Sequence, residues 1–191
     1  MPTRPAALTA HHVKGTDLVA IRGMLIRSGE HTYAACLEAL DAETAGVLRR
    51  VMPVQWVPSD TAAEIMECAA ELLFPERRDN LEHLGRACAD EAFSGIYKAF
   101  LRVASIVFLL KRVPRLWSMY HNQGEARLED VDPRRGGRLV VAGAPAINPS
   151  NLRLITGFGV RALELAGAGR PACRLSLENP QRWVWTFTWS A

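Results

Sequence analysis

The amino-acid sequence predicts an α+β domain in which a layer of helices covers one face of an antiparallel sheet of about four to five strands. Three observations lead to this fold class. Apolar residues recur at helical spacing through most of the amino-terminal half. Apolar and polar residues alternate near the carboxyl end, as in strands. One long helical pattern lies between the strand-like segments and a terminal hairpin.

Length and composition fit one globular domain. The chain has 191 residues, of which 49% are hydrophobic and 23% charged, enough to form a core without disulfide bonds. We expect a flexible tail over residues 1–16 and a single domain over residues 17–191. The formal net charge of +3 is too small to indicate nucleic-acid binding. No apolar run reaches the length of a membrane span, so we predict none.

The amino-terminal part predicts a strand followed by helices. β-branched and apolar residues favour a strand over residues 17–27. Residues 31–51 follow a helical pattern, and Asp41 is placed to cap a second short helix within it. An extended connector around Trp56 leads to a helix with a capping box at Thr61.

The pattern over residues 80–102 predicts a helix that is apolar on two sides, which is typical of a helix between two layers. Glycine costs roughly 1 kcal/mol relative to alanine inside a helix. Gly85 therefore suggests the close approach of another backbone or of a ligand. The apolar segment 103–113 is expected to continue as a helix, with a strand as the open alternative.

The rest of the chain predicts mainly strands. We expect strands over residues 116–121, 125–131 and 139–142. A long helix should follow, with Asn148 as its N-cap and a proline at its first position. The terminal hairpin places four aromatic side chains on one buried strand face: Trp183, Trp185, Phe187 and Trp189.

The cysteines predict a reducing environment and no metal site. The chain has four, Cys36, Cys68, Cys88 and Cys173, and their spacings match no metal-binding motif. Each lies in an apolar pattern, where a free cysteine behaves as a small hydrophobic residue. The amino terminus has no signal-peptide pattern. We therefore expect a cytoplasmic protein.

The sequence also predicts that the protein is not an enzyme and holds no cofactor. It has none of the short motifs of serine hydrolases, dinucleotide-binding enzymes, P-loop proteins or zinc proteases. His83 and Cys88 share one predicted helix, but their spacing points the two side chains in different directions. They therefore make a poor catalytic pair.

Two segments resemble a known superfamily. They are residues 84–93, LGRACADEAF, and residues 155–167, ITGFGVRALELAG. Both are similar to segments of the 4-vinyl reductase domain and of the TRAPP small subunits. The closest likeness is to a mostly myxobacterial family of similar length, and it covers nearly all of residues 17–191. It runs from the first predicted strand through residues 56–58, 84–86 and 115–120, with Gly124, to residues 185–189. The resemblance implies this fold and dimerisation through the helical layer, and no established activity.

The sequence departs from these families at their functional sites. It has no counterpart of the cysteine-rich zinc site of the 4-vinyl reductase regulators. The tethering proteins can carry an acyl chain on a cysteine, and Cys88 lies in the matching helix. Heme-dependent nitric-oxide-binding proteins are more distant relatives of the superfamily. Their axial histidine and tyrosine-serine-arginine signature find no match in this sequence.

The resulting hypothesis is a homodimeric sensor or carrier that binds an apolar small molecule between helices and sheet. Its candidate lining residues are Trp56, Arg86, Phe93, Tyr97, Trp117 and Tyr120. Each of them could equally be a core or dimer-interface residue. Arg86 could bind a ligand carboxylate or pair with Glu82 or Asp90. The alternative function is a ligand-free dimeric module that scaffolds a larger assembly.

Overall fold

A computed structural model of the chain describes residues 10–94, 106–179 and 181–190. The amino-terminal elements are β1 (His12–Lys14), α1 (Thr16–Arg27), α2 (Glu30–Ala39), α3 (Ala42–Arg50), β2 (Trp56–Pro58), α4 (Ser59–Leu73) and α5 (Asn80–Ala92). The carboxyl-terminal elements are α6 (Ile106–Leu110), α7 (Val113–Tyr120), β3 (Glu125–Asp132), β4 (Gly136–Ala142), α8 (Pro149–Leu165), β5 (Gly169–Ser176) and β6 (Arg182–Ser190).

The main sheet is antiparallel and has the strand order β3-β4-β6-β5. Trp185 lies at its centre, opposite Leu139 of β4 and Leu175 of β5. The four aromatic residues of β6 all face the core, and none is more than 7% exposed. The predicted α+β class, the terminal hairpin and its buried aromatic face are confirmed. A separate two-stranded ribbon pairs β1 with β2.

Buried apolar residues form two core clusters. The helical cluster is built mainly from α1, α2, α4 and α5, and the sheet cluster from the main sheet, α7 and α8. Helix α8 joins them, because Leu154 belongs to the helical cluster whereas Leu152 and Leu163 belong to the sheet cluster. Helix α8 is therefore buried on two sides, whereas residues 95–102 of the helix predicted over residues 80–102 lie outside the described residues.

Two of the predicted strands are helices. Residues 17–27 belong to α1, and Leu18, Ile21 and Leu25 are fully buried along one of its faces. Their helical spacing outweighs the β-propensity of the segment, which is the weaker and more context-dependent signal. Residues 116–120 belong to α7, where Pro114 occupies the first turn and costs no hydrogen bond.

Two predicted helix caps are confirmed, and one predicted start is wrong. The Asp41 carboxylate accepts hydrogen bonds from the backbone amides of Glu43 and Thr44 at 2.8 and 3.1 Å. Asn148 caps α8 by accepting from the amide of Ser150 at 3.0 Å. Helix α4 begins at Ser59 rather than at the predicted capping box two residues later.

Helices α5 and α8 cross with their backbones almost in contact. A Cβ atom placed on Gly85 would lie 2.0 Å from the carbonyl oxygen of Leu154, and one on Gly157 would lie 1.8 Å from that of Glu82. Both positions therefore require glycine. Of the two explanations for Gly85, the close approach of another backbone is the correct one. No helix in the described ranges is long and apolar enough to cross a membrane.

Candidate functional site

The five predicted lining residues in the described ranges lie in three different parts of the fold. Arg86 and Phe93 lie where α5 packs against α8, Trp117 and Tyr120 lie on α7, and Trp56 lies in the β1–β2 ribbon. The sixth candidate, Tyr97, lies outside the described residues.

Arg86 is engaged in an ion pair between α5 and α8. Its guanidinium donates to both carboxylate oxygens of Glu164, at 2.7 and 2.8 Å. Arg161 donates to the same carboxylate at 2.8 Å and to Asp90 at 2.9 Å. Burial acts to raise the pKa of Glu164, but the hydrogen bonds from the two arginines outweigh it and lower that pKa. The partner of Arg86 is thus neither of the two carboxylates suggested by spacing.

Phe93 and Trp56 also have structural partners. The Phe93 ring packs against Phe158 of α8, with 5.7 Å between ring centroids. The Lys14 ammonium lies 4.0 Å from the centroid of Trp56 and donates to the carbonyl of Val54. The indole Nε1 of Trp56 is buried without a hydrogen-bond partner among the described residues.

Two buried histidines and two tryptophans form a cluster where the amino-terminal segment meets the end of α7. His11 and His121 are 1% and 8% exposed, and His11 Nε2 lies 3.1 Å from His121 Nδ1. The His121 ring stacks on Trp117, with 3.8 Å between ring centroids, and Trp117 packs against Trp185. We call these four residues the aromatic junction.

Asn122 fixes the backbone around the aromatic junction. Its side-chain oxygen accepts from the amide of His12 at 2.6 Å, and its side-chain nitrogen donates to the carbonyl of Ala10 at 3.1 Å. Sequence analysis missed this arrangement, because its two sides are separated by 110 positions and no local pattern links them. The strand β1 and the buried His11 lie in the segment expected to be a tail.

A group of titratable side chains surrounds the neighbouring start of α1. Burial raises the pKa of Asp17 to about 6. Burial, followed by the charge of Asp17, raises the pKa of Tyr120 on α7 and of Cys88 on α5. Tyr120 and Cys88 therefore each lie within electrostatic reach of Asp17. Neither Asp17 nor Cys88 carries a hydrogen bond to the other among the described contacts.

The aromatic junction should make stability depend on pH. Burial and the neighbouring His11 hold the pKa of His121 well below its usual 6.5. As the pH falls below 6.5, the unfolded chain binds a proton that the folded chain does not, so the folded state loses stability. From pH 7 to pH 5 this loss should reach about 2 kcal/mol. Chemical denaturation across this range measures it.

The variant His121→Gln isolates this effect. It should lower stability at pH 7 but remove the additional loss between pH 7 and pH 5. The exposed His31 on α2 provides the matched control: His31→Gln should leave the wild-type pH dependence in place. An unchanged pH dependence in His121→Gln would show that this imidazole is not kept neutral by burial.

Two surface depressions lie away from the aromatic junction. One, of about 260 Å³, is lined by Met24, Arg27, Ser28, Leu73 and Phe74. The other, of about 370 Å³, lies on the β3–β4 side of the main sheet. None of the five predicted lining residues in the described ranges borders either depression. Across the described ranges, no three histidine, cysteine or acidic side chains are grouped as metal ligands.

The fold is that of H-NOX domains. The solved structure of an Fe(II) unliganded H-NOX protein from K. algicida matches 93% of this chain and 97% of its own, with a TM-score of 0.64 and 9% identity. An oxygen-binding H-NOX domain related to soluble guanylate cyclases matches 93% of each chain, with a TM-score of 0.60 and 10% identity. No protein-family model and no curated protein sequence matches the chain.

The expected resemblance to the 4-vinyl reductase and TRAPP families, and to the myxobacterial family linked with them, is therefore wrong. H-NOX structures account for almost the whole chain instead. The two segments that suggested the resemblance contain Gly85 and Gly157, which meet at the crossing of α5 and α8. A close crossing of two helices requires glycines and other small residues at the contact, whatever the family. The two segments therefore reflect helix packing and do not identify one family.

Proposed function

We propose that the chain is a non-catalytic sensor or carrier domain that binds an apolar small molecule beside the aromatic junction. The observation that carries this proposal is the environment of Asp17. Its carboxyl group is dehydrated enough to raise its pKa to about 6, and it lies near the aromatic side chain of Tyr120. Carboxyl groups with a raised pKa beside aromatic surfaces are typical of binding sites.

The fold supports a sensor or carrier rather than an enzyme. The neighbouring structures include an oxygen-binding H-NOX domain and one that probes heme distortion in the H-NOX family. One of these domains is thus described as binding a small molecule, oxygen, on the same fold. Since sequence identity is only 9 to 13%, the ligand of this chain has to be inferred from its own residues.

The described residues do not fit a heme. Heme iron in proteins is held by histidine, a cysteine thiolate, methionine or tyrosine. The two buried histidines are hydrogen-bonded to each other, and one of them is stacked flat on Trp117. The other three are surface or helix-face residues: His12, His31 and His83. Burial raises the pKa of the Cys88 thiol well above its usual value, so it is a poor thiolate ligand.

The proposed ligand is therefore a metal-free apolar molecule. With a pKa of about 6, the Asp17 carboxyl is mainly ionised at neutral pH and would favour a ligand that also carries a hydrogen-bond donor or a positive charge. Arg86, which suggested an acidic ligand, is already neutralised by Glu164. The electrostatics at the site thus favour a neutral or cationic ligand over an anionic one.

Native mass spectrometry of the purified protein, compared with its denatured mass, tests for a retained ligand. We expect an additional mass that is lost on denaturation. In parallel, Nile red provides a neutral apolar probe, and its fluorescence should rise saturably with the wild-type protein. Addition of hemin should produce no sharp Soret band, because neither the described histidines nor Cys88 is placed to act as an axial ligand.

Two α7 variants locate the binding. Tyr120→Ala should weaken Nile red binding roughly tenfold, as expected for a lost contact of about 1.4 kcal/mol. Met119→Ala is the matched control on the same helix, since Met119 is 53% exposed, and it should bind as the wild type does. Equal weakening in both variants, or no saturable binding by the wild type, would contradict the proposed site.

A homodimeric scaffold without a ligand is the second candidate function. It is favoured by apolar side chains exposed on α6 and α7, namely Phe108, Leu116, Met119 and Tyr120. Native mass spectrometry distinguishes the two candidates, because a dimer with no additional mass supports the scaffold. In that case Met119→Arg should also shift the dimer towards the monomer.

A further inference from the structure

Two cysteines that are far apart in sequence meet between α2 and α4. The Cys68 Sγ lies 3.0 Å from the Cys36 Sγ and 3.7 Å from the Cys36 carbonyl oxygen. Both are free thiols. A disulfide bond between them would require the two sulfurs to approach by only about 1 Å more. No spacing rule predicts this pair, because its members are 32 positions apart.

The two thiols differ in their access to solvent. Cys36 is fully buried within the helical cluster. Cys68 is partly exposed and packs against the same cluster. A small oxidant can therefore reach Cys68, and a second thiol lies directly behind it. Neither Cys88 nor Cys173 has another thiol within hydrogen-bonding distance in the described part of the chain.

We propose that Cys36 and Cys68 form a reversible disulfide that links α2 to α4, made by a hydroperoxide and broken by a dithiol reductant. This modification site is independent of the proposed ligand site.

The chemistry follows from the positions of the two thiols. The Cys68 thiolate attacks one peroxide oxygen, the O–O bond breaks, and a sulfenic acid forms on Cys68. The leaving hydroxide or alkoxide takes up the proton that Cys68 released on ionising and departs as water or alcohol. The Cys36 sulfur then attacks the Cys68 sulfur, so that the S–S bond forms and the S–O bond breaks. The leaving hydroxide takes the Cys36 proton and departs as water. The two thiols are oxidised by two electrons in all, and the hydroperoxide is reduced.

Reduction reverses the modification. One thiolate of a dithiol attacks Cys68, which is the accessible sulfur, and Cys36 leaves as the thiol after it takes a proton. The second thiol of the reductant then releases Cys68 and forms the disulfide of the reductant. Burial, together with the neighbouring Cys68, raises the pKa of the Cys36 thiol. A buried thiol that resists ionisation is a poor first target for the oxidant, so the reaction begins at the accessible Cys68. Cys36, whose sulfur lies next to that of Cys68, then acts as the resolving thiol.

Thiol counting on the full chain tests the proposal. The reduced protein should titrate four thiols after denaturation, and the hydrogen-peroxide-treated protein should titrate two. Peptide mapping without reductant should recover one cross-link, between the peptides that contain Cys36 and Cys68. Dithiothreitol should restore all four thiols. Oxidation should also raise the melting temperature by several degrees, since a closed loop restricts the unfolded chain.

Three variants complete the test. Cys68→Ser should fold and form no cross-link, whereas the control Cys173→Ser should retain it. Cys36→Ala, which places no polar atom in the core, should also lose the cross-link, and Cys68 should then accumulate as the sulfenic acid trapped by dimedone. The proposal is overturned if four thiols persist after oxidation, if the cross-link joins other cysteines, or if oxidation lowers the melting temperature.

Discussion

Replacing Gly157 with alanine is expected to cost about 3 kcal/mol or more of folding free energy. The new Cβ would lie 1.8 Å from the carbonyl oxygen of Glu82. That oxygen belongs to the backbone of α5, so no side-chain rotation relieves the overlap. The two helices would have to separate, which would disturb the buried residues on both sides of the crossing. Urea denaturation of the variant and the wild type measures the difference.

Gly23→Ala is the matched control for this prediction. Gly23 also lies inside a helix, but an added Cβ would meet only the mobile guanidinium of Arg27, at 3.1 Å. The gain in helix propensity should then dominate and stabilise the protein by up to about 1 kcal/mol. If Gly157→Ala were also stabilising, the two helices would not approach as closely as the structure indicates.

The elements that the sequence predicts well are those with a local cause. Asp41 and Asn148 cap their helices through amides only a few residues away, so short motifs identify them. The aromatic face of β6 follows from strict alternation over one strand. In each case the information needed for the prediction lies within a few residues.

Errors arise where two local signals disagree. Residues 17–27 contain β-branched residues and also the helical spacing of Leu18, Ile21 and Leu25. The spacing prevails, because it decides whether the apolar side chains can be buried together. A prediction from composition alone gives more weight to the β-branched residues than to the helical spacing, and it is wrong for this segment. The same disagreement between the two signals explains the incorrect strand prediction around Tyr120, which is the last residue of helix α7.

The candidate site is difficult to predict because its contacts are long-range. His11 and His121, and likewise Cys36 and Cys68, become neighbours only when distant elements pack. The sequence suggests that Arg86 binds a ligand carboxylate or pairs with Glu82 or Asp90. Its partner Glu164 lies 78 positions further along the chain, however, so helical spacing points to the wrong carboxylates. A single sequence contains no signal that joins such pairs.

Asp17→Asn is expected to stabilise the protein by about 2 kcal/mol at neutral pH. Burial raises the pKa of Asp17 from 3.8 to about 6, so ionising it in the folded protein costs free energy, and a tenfold change in proton affinity corresponds to about 1.4 kcal/mol. The expected gain is smaller than the full cost of ionisation, because solvent reaches part of the Asp17 side chain. The negative charge of Asp17 also interacts favourably with the first turn of α1. Losing this interaction in the variant reduces the expected gain in stability by at most about 1 kcal/mol.

The direction in which the stability difference between Asp17→Asn and wild type changes with pH identifies burial of the Asp17 carboxyl as its cause. The folded state holds the Asp17 proton more tightly than the unfolded state, so the stability contributed by protonation is present at low pH and lost as the pH rises through about 6. The advantage of the variant should therefore be small near pH 4 and fully developed by pH 7.5. Comparing variant and wild type at each pH cancels the opposite trend that we expect from His121.

Glu30→Gln provides the control, because Glu30 is an exposed acidic residue in the first turn of α2. It should lower stability by a few tenths of a kcal/mol, through the loss of a favourable interaction with the helix dipole. A loss of similar size in Asp17→Asn would mean that the carboxyl of Asp17 is well hydrated. The proposed binding site would then lose the observation on which it rests.

The same variant relates stability to the proposed function. A buried carboxyl that destabilises the free protein is retained where it contributes to ligand binding. Asp17→Asn should therefore be more stable than the wild type and yet, because it lacks the charge, should bind a cationic apolar probe such as rhodamine 6G more weakly by roughly tenfold. Binding of the neutral Nile red should change less. If both probes bound equally well to the more stable variant, the buried carboxyl would have no part in recognition.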